Sequence, residues 1–233
     1  MISFAEAFEQ FASRMLPPEL TDAAHLRFQS CARLSPLAKD HAIEFDEAVP
    51  QLVMVARGAT KLVAHASQSR DQIVAFHFAG DVLLGPAQDN YSYSVTALRD
   101  SELLAFHLPQ FMAVAAKEAG VLGRLLEHTL VSLRRCREKA IALGRKTAGE
   151  RMAVFLLGMA ERIGVEQDGR ITLDLPMSRR DISESLGLTI ETVSRELTKL
   201  RDDGDIATIG RSTIVLLRHP ALHRRAGFQQ EAA

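Results

Sequence analysis

An apolar stripe with helical spacing runs through the stretch that ends at residue 200. Ile190, Val193, Leu197 and Leu200 follow one another at steps of three or four residues, which predicts a helix that packs this stripe inward. Thr189 directly precedes the stripe and is a typical N-cap residue, so we expect the helix to begin there.

A shorter helix is predicted just before it. Ser178 is of the N-cap type, and Asp181 three residues later can complete a capping box. Gly187 suits the left-handed backbone of a sharp turn between the two helices. Together they predict a DNA-binding helix-turn-helix; the alternative is an ordinary helical hairpin with solvated charges.

Short strands are predicted on both sides of these helices. Residues 206–209 and 213–217 predict two strands joined by a tight turn at Gly210, which is the pattern of a wing. Residues 171–175 alternate apolar and polar side chains up to Pro176 and predict a third strand. These strands favour a winged helix-turn-helix over the ordinary hairpin.

Further upstream the pattern is that of a β-domain followed by a long helix. Regularly spaced short strands are typical of a barrel or sandwich. From Pro109 to Leu143 a helix is predicted, and Gly144 followed by a capping box at Thr147 predicts a break before the next one. The predicted strands cover 52–55, 60–65, 73–78, 92–98 and 103–107, with turns at 57–58, 67–71, 80–81 and 99–100.

The long helix carries an apolar seam of alternating four- and three-residue steps. Such a seam predicts a partner helix, whereas Leu125 and Leu130 lie off the seam and are expected to face the same chain. Cys136 on the seam permits an intersubunit disulfide; the alternative is a small buried residue in a reducing compartment. The seam residues are Leu122, Leu126, Thr129, Leu133, Cys136, Ala140 and Leu143.

Composition is that of an ordinary globular protein. With 233 residues, 47% of them apolar, we expect one or two domains. The apolar runs are far shorter than the roughly 18 residues of a membrane span, and the first residues do not resemble a signal peptide. A cytoplasmic protein without a membrane segment is expected.

The net charge of −1 conceals an asymmetry between the two halves. Residues 1–120 hold 9 Lys and Arg against 14 Asp and Glu, a balance of −5, and residues 121–233 hold 19 against 15, a balance of +4. The basic half contains the predicted helix-turn-helix. Phosphate contacts supply most sequence-independent affinity for DNA, so the charge lies where a duplex would bind.

The second helix of the motif separates three polar residues from its apolar stripe. Arg195 can donate two hydrogen bonds to guanine, Glu191 can accept from cytosine, and Ser194 can serve several bases. Arg179 and Arg180, at the start of the first helix, suit backbone phosphates. The sequence has no nucleophile elbow, no paired metal-ligand spacing and no phosphate-binding glycine loop, so we expect neither an enzyme nor a metal site.

Four segments of the chain resemble one family. Residues 72–81, 147–156, 175–182 and 186–195 read QIVAFHFAGD, TAGERMAVFL, LPMSRRDI and LGLTIETVSR. In order and spacing they are similar to the Crp/Fnr superfamily of bacterial transcription regulators, most closely to its FixK/Fnr-like members. The resemblance covers residues 50 to 227.

The resemblance implies an α+β fold of three parts. These are a cyclic-nucleotide-binding-like β-barrel (jelly roll) over residues 1–108, a dimerisation helix over 109–145 and a winged helix-turn-helix over 146–233. Residues 16–50 lack the glycine-rich strand turns that the family carries there, so the first strands are expected to be short or altered. Glu196 also departs from the family, which often has an apolar residue at this position.

The resemblance further implies a homodimer that binds double-stranded DNA at an inverted repeat resembling TTGA-N6-TCAA. Arg195 is expected to read guanine, Glu191 the amino groups of cytosine or adenine, and Ser194 to lie near a thymine. RNA polymerase is the implied partner if the protein activates transcription. The residues expected at the DNA backbone are Ser178, Arg179, Arg180, Thr189, Thr192, Lys199 and Arg211.

Three signals known in the family were compared with the residues. A cyclic phosphate needs a cation, and no arginine lies between Arg70 and Arg99. A four-thiolate iron-sulfur cluster needs more than Cys31 and Cys136, whereas a haem needs one axial histidine of the eight present. No cofactor is expected; the alternatives are a haem- or small-ligand-gated family member and a winged-helix protein-interaction module.

Overall fold

The computed structural model describes residues 1–45, 49–66, 70–85 and 91–228. The chain divides into two compact units, Met1–Arg134 and Arg135–Ala233. Within the described residues, no helix combines the length and apolarity needed to cross a membrane.

The first unit contains most of the strands. Its elements are α1 (Phe4–Met15), α2 (Asp22–Ser30), β1 (Ala32–Leu37), β2 (Ala42–Glu44), β3 (Gln51–Ala66), β4 (Arg70–Phe78), β5 (Val82–Gly85), β6 (Ser92–His107), α3 (Leu108–Ala115) and the start of α4 (Val121–Arg145). The strands form one antiparallel sheet in the order β1-β6-β3-β4, with β2 also paired to β6 and β5 to β3.

Both faces of the central strand β3 are buried. Leu52 and Met54 pack into a cluster with α1, α2 and α3, and Val53 and Val55 pack into a second cluster on the opposite face. Successive side chains of a strand point to opposite faces, so a strand covered on both sides needs an almost continuous apolar run. This explains why residues 52–56 are all apolar.

The turns predicted at 57–58 and 99–100 are wrong. β3 and β6 are each 16 residues long and pass through these positions, with shifts of register between Val55 and Thr60. Gly58 has φ 95°, and the Ser101 hydroxyl accepts a hydrogen bond from Ala59 N at 3.1 Å. Bulges therefore bend two continuous strands where the sequence predicted separate ones.

Other sequence predictions for this unit have mixed outcomes. The turn at 80–81 is confirmed, with Gly80 at φ 89° and Asp81 N donating to Phe78 O at 2.9 Å. Residues 67–69 of the predicted turn at 67–71 lie outside the described residues. The first strands are short, as expected, but α1 and α2 were not predicted.

The single helix predicted from Pro109 to Leu143 is wrong. α3 ends at Ala115 and α4 begins at Val121, with Gly120 between them at φ 85°. A left-handed residue cannot continue an α-helix, so the chain turns here. Leu125 packs against the first unit's core as expected, whereas Leu130 is 54% exposed and does not.

The second unit confirms the predicted winged helix-turn-helix. After α4 come α5 (Ala148–Ile163), β7 (Val165–Gln167), β8 (Arg170–Asp174), α6 (Arg179–Leu186), α7 (Ile190–Asp202), β9 (Ile206–Ile209), β10 (Thr213–Leu216) and α8 (His219–Arg225). The strands pair in the order β7-β8-β10-β9, so β8 supplies the expected third strand of the wing sheet.

A buried carboxylate fixes the last helix of this unit. Asp205, whose side chain is 2% exposed, lies 2.8 Å from Arg218 Nη2 and 2.6 Å from Arg225 Nε. Its backbone oxygen accepts from Leu217 N at 2.9 Å. A buried charge needs such partners, and here they hold the start and end of α8 beside the end of α7.

The bend of the long strands gives a test of stability. A Cβ on Gly58 would lie 2.7 Å from Asp100 O, at a φ that L-residues rarely adopt. We expect Gly58→Ala to lower the free energy of unfolding by about 2–4 kcal/mol, measured by urea denaturation. Gly123→Ala is the control, because a Cβ there meets nothing within 4 Å and alanine favours a helix. Equal stability of both variants would contradict the bulge assignment.

Candidate nucleic-acid interface

The two helices of the motif begin and end as their sequences predict. Ser178 and Asp181 form a capping box, in which Asp181 Oδ2 accepts from Ser178 N at 2.7 Å. Thr189 Oγ1 accepts from Thr192 N at 3.2 Å at the start of α7. Gly187, at φ 62° and ψ 43°, makes the left-handed turn between them.

The recognition helix α7 presents its expected reading face to solvent. Glu191, Ser194 and Arg195 are exposed, whereas Val193 and Leu197 are buried beneath them. Ile190, which the periodicity assigned to the buried stripe, is 36% exposed. It is the first residue of α7, where the helix has only begun to pack on its neighbours.

Local hydrogen bonds orient two of the reading side chains. The backbone N–H of Glu191 and the hydroxyl of Thr189 lower the pKa of the Glu191 carboxyl, so the group is an ionised acceptor at neutral pH. Arg195 Nη2 donates to Thr192 Oγ1 at 3.2 Å. An acceptor and a bidentate donor therefore lie one helical turn apart on the exposed face.

Three of the residues expected at the DNA backbone already make local bonds. The Ser178 hydroxyl donates to Asp181 Oδ2 at 2.6 Å and accepts from Asp181 N at 3.2 Å. The hydroxyls of Thr189 and Thr192 lie 3.1 Å apart. These hydroxyls cap the two helices, so a phosphate contact would be an additional bond for each of them.

Lys199 pairs with the residue that departs from the family pattern. Its Nζ lies 2.7 Å from Glu196 Oε1. The Glu196 side chain is 13% exposed, and Oε2 lies 3.2 Å from where a Cβ would stand on Gly149, near the start of α5. Glu196 is accommodated because Gly149 leaves room for it at a helix N-terminus, which favours a negative charge.

The remaining backbone candidates are three arginines. Arg180 and Arg211 are exposed, Arg211 directly after the wing turn at Gly210. Arg179 is half-buried, and this desolvation lowers the pKa of its guanidinium. It shares a pocket of about 170 Å³ with Ser194 and with three residues that the sequence analysis missed, namely Thr198, Arg201 and Thr208.

One arginine joins the ends of two helices beneath the interface. Arg151 of α5 donates from Nη2 to Leu143 O at 2.7 Å, from Nε to Lys146 O at 2.9 Å and from Nη1 to Leu186 O at 3.0 Å. The last carbonyls of a helix have no partner within it. Arg151 supplies partners at the ends of both α4 and α6.

A lysine is buried between the same two helices. Lys139 Nζ of α4 lies 2.9 Å from Ser185 Oγ of α6. Burial lowers the pKa of Lys139 to about 8, and the nearby Cys136 acts weakly in the opposite direction. This ammonium is held where its charge is disfavoured.

The first unit contains a Ser-His-Asp arrangement that does not indicate a hydrolase. His65 Nε2 lies 2.8 Å from Ser94 Oγ, and His65 Nδ1 lies 3.1 Å from Asp71 Oδ1. Ser94 is only 3% exposed, so a substrate cannot reach its hydroxyl. The three residues come from β3, β6 and β4, and their hydrogen bonds link these strands.

The turn geometry, the exposed reading face and the wing define a winged-helix DNA-binding protein. Residues 150–225 match the family model described as a Crp-like helix-turn-helix domain. The chain belongs to the Crp/Fnr family of transcription regulators, among its FixK/Fnr-like members, and is a DNA-binding regulator rather than an enzyme.

The family assignment rests on relatives of nearly full length. The transcriptional activator protein FnrL of Cereibacter sphaeroides is 35% identical over 177 residues, which cover 74% of this chain and 71% of FnrL. The nitrogen fixation regulation protein FixK of Bradyrhizobium diazoefficiens is 34% identical over 190 residues, covering 81% of this chain and 80% of FixK.

A solved structure supports the same assignment. FixK2 from Bradyrhizobium japonicum has a TM-score of 0.76 and 34% identity, covering 85% of this chain and 99% of that chain. CooA from Carboxydothermus hydrogenoformans, at 20% identity and a TM-score of 0.69, covers 91% of this chain and 95% of its own and shares the fold. The α+β class expected from the sequence is thereby confirmed.

Lys139 gives this subsection a test by pH. Its folded pKa of about 8 lies below the ordinary 10.5, so between these values the unfolded chain binds more protons and stability rises with pH. We expect wild type to gain about 3 kcal/mol relative to Lys139→Met between pH 8 and 10.5, measured by urea denaturation. Lys199→Met, at an exposed lysine, should keep the wild-type pH dependence. Parallel curves for wild type and Lys139→Met would contradict the burial.

Proposed function

We propose that this regulator binds as a homodimer to an inverted repeat resembling TTGA-N6-TCAA. The observation that carries the proposal is the exposed face of α7, where Glu191, Ser194 and Arg195 stand free of the core. Arginine suits guanine, and ionised glutamate suits the amino groups of cytosine or adenine. Serine beside them is suited to the position near thymine.

Ile190 extends this reading face by one residue. It is exposed at the first position of α7, beside Glu191. An exposed β-branched side chain at a DNA-reading helix end suits contact with the C5-methyl group of thymine. A thymine-rich start of the half-site agrees with this apolar contact.

The homodimer is supported by an exposed apolar stripe on α4. Five large apolar side chains of this helix are 41% to 59% exposed. At about 100° per residue they lie within a sector of roughly 100° on one side of the helix. Exposed apolar surface of this extent on one helix favours a partner helix of the same kind. The stripe consists of Leu122, Leu126, Leu130, Leu133 and Ile141.

The stripe is rotated from the seam that the heptad steps predicted. Leu122, Leu126, Leu133 and the exposed Ala140 belong to both, whereas Leu143 is half-buried and lies near Gly187 of its own chain. Thr129 uses its hydroxyl within the helix, donating to Leu125 O at 2.8 Å. Exposed Cys136 lies about 90° from the centre of the stripe, so the disulfide is not part of the proposed dimer.

We further propose that the first unit binds no cyclic nucleotide. Its inner cluster is apolar, and a Cβ on Gly85 would overlap the ring of Phe45. A phosphate and ribose need a cation and a carboxylate, which this lining does not offer. Residues 86–90 of the corresponding family segment lie outside the described residues.

Haem stays an untested alternative for the signal. His65 is an unsuitable axial ligand because both of its ring nitrogens already have hydrogen-bond partners, Ser94 and Asp71. Cys31 belongs to the first unit and Cys136 to the second, and an iron-sulfur cluster normally takes four thiolates.

We propose transcription activation through RNA polymerase as the output. Relatives are named as activators, among them FnrL and AadR of Rhodopseudomonas palustris. A winged-helix protein-interaction module without DNA binding is the competing class. Salt-dependent binding of the purified protein to the TTGA duplex separates the two, because only a DNA-binding protein releases counterions there.

The reading face is tested by changing its arginine. We expect Arg195→Ala to lose about 1–3 kcal/mol of binding to the TTGA duplex and to discriminate less against replacement of the half-site guanine. Arg180→Ala is the matched control and should weaken binding to both duplexes equally. Fluorescence anisotropy at fixed salt measures both. An unchanged guanine preference in Arg195→Ala would exclude the proposed docking.

The dimer face is tested by introducing a charge. Leu126→Glu places a carboxylate on the stripe, so we expect a monomer in sedimentation experiments and weakened binding to the inverted repeat. Val131→Glu is the control, because Val131 is 40% exposed on a different side of α4. The proposal fails if Leu126→Glu remains a dimer at the concentrations where wild type is one.

A further inference from the structure

A pocket of hydrogen-bond donors lies beside the reading face. Its volume is about 170 Å³, and it lies between the start of α6, the outer part of α7 and the first wing strand β9. Five of its six lining residues carry a guanidinium or a hydroxyl. They are Arg179, Ser194, Thr198, Arg201 and Thr208, with Leu197 as the sixth.

One donor in this pocket lacks an acceptor. Nη1 of Arg179 is buried, and within the described part of the chain no hydrogen-bond partner reaches it. A buried N–H group without an acceptor is costly, and a charged one more so. The arrangement is therefore suited to an anion that enters from outside.

The recognition helix brings further donors to the same place. Thr198 and Arg201 follow Ser194 by four and seven residues, so all three lie on one face of α7. Arg201 Nη2 is 3.0 Å from Asp202 Oδ1 in a pair whose side chains are 52% and 62% exposed. An exposed ion pair of this kind is weak, so Arg201 can exchange it for another anion.

We propose that Arg179, Thr198, Arg201 and Thr208 hold one phosphodiester group of the bound DNA. The pocket adjoins Ser194 on the reading face and Thr208 on the wing, so a strand that passes the reading face meets both. Guanidinium groups and hydroxyls are the usual partners of DNA phosphates. The recognition helix and the wing thus grip the same phosphate. This inference rests on the proposed DNA target.

The test is a salt titration of binding to the TTGA duplex. Wild type, Arg179→Ala, Arg201→Ala and the double variant are compared by anisotropy from low to high KCl. We expect each single variant to bind roughly five- to thirtyfold more weakly with unchanged base preference. The double variant should reduce the slope of log K against log salt by about 0.9, the value for one phosphate.

The controls make the outcome decisive. Arg224→Ala removes the same charge from an exposed position of α8 that does not line the pocket, and Thr208→Val removes only the wing hydroxyl. Thr208→Val should bind a few-fold more weakly than wild type. A slope loss of about 1.8 in the double variant would mean two separate phosphates, and an Arg201→Ala variant indistinguishable from Arg224→Ala would also overturn the proposal. If wild type itself does not bind the duplex, the proposed function fails instead.

Discussion

The position of the reading face depends on the three hydrogen bonds of Arg151. Leu143 and Lys146 lie at the end of α4 and Leu186 at the end of α6, and each offers a carbonyl that its own helix leaves unpaired. One rigid guanidinium can meet three such acceptors because its donors are fixed in a plane. The helix-turn-helix is thereby fastened to α5 and to the end of α4 by main-chain bonds.

Two cations of the second unit lie where burial disfavours their charge. Lys139 is enclosed between α4 and α6, and Arg179 lies beside α7 and β9. Asp205 differs, because its buried carboxylate is met by two arginines. Perturbed groups that lack such pairing are frequent at functional sites. Arg179 is of this kind, and it is the cation nearest to the reading face among those that burial affects.

Features set by neighbouring residues could be predicted from the sequence, and features set by distant residues could not. The caps at Ser178 and Thr189, the turn at Gly187 and the exposed Glu191, Ser194 and Arg195 follow from spacing within one helix-turn-helix. The bend at Gly58 depends on Ser101, which is 43 residues away, and the pocket depends on Thr208 of the wing. Ile190 was misplaced because periodicity does not show where a helix stops touching its neighbours.

The contact of Glu196 with Gly149 links two positions that lie 47 residues apart. A carboxylate fits at the start of α5 because position 149 has no side chain. Members of the family with an apolar residue at position 196 do not need this space and can carry a larger residue at 149. The two positions are therefore expected to vary together during evolution, and the pair identifies the branch of the family in which a charge replaced an apolar contact.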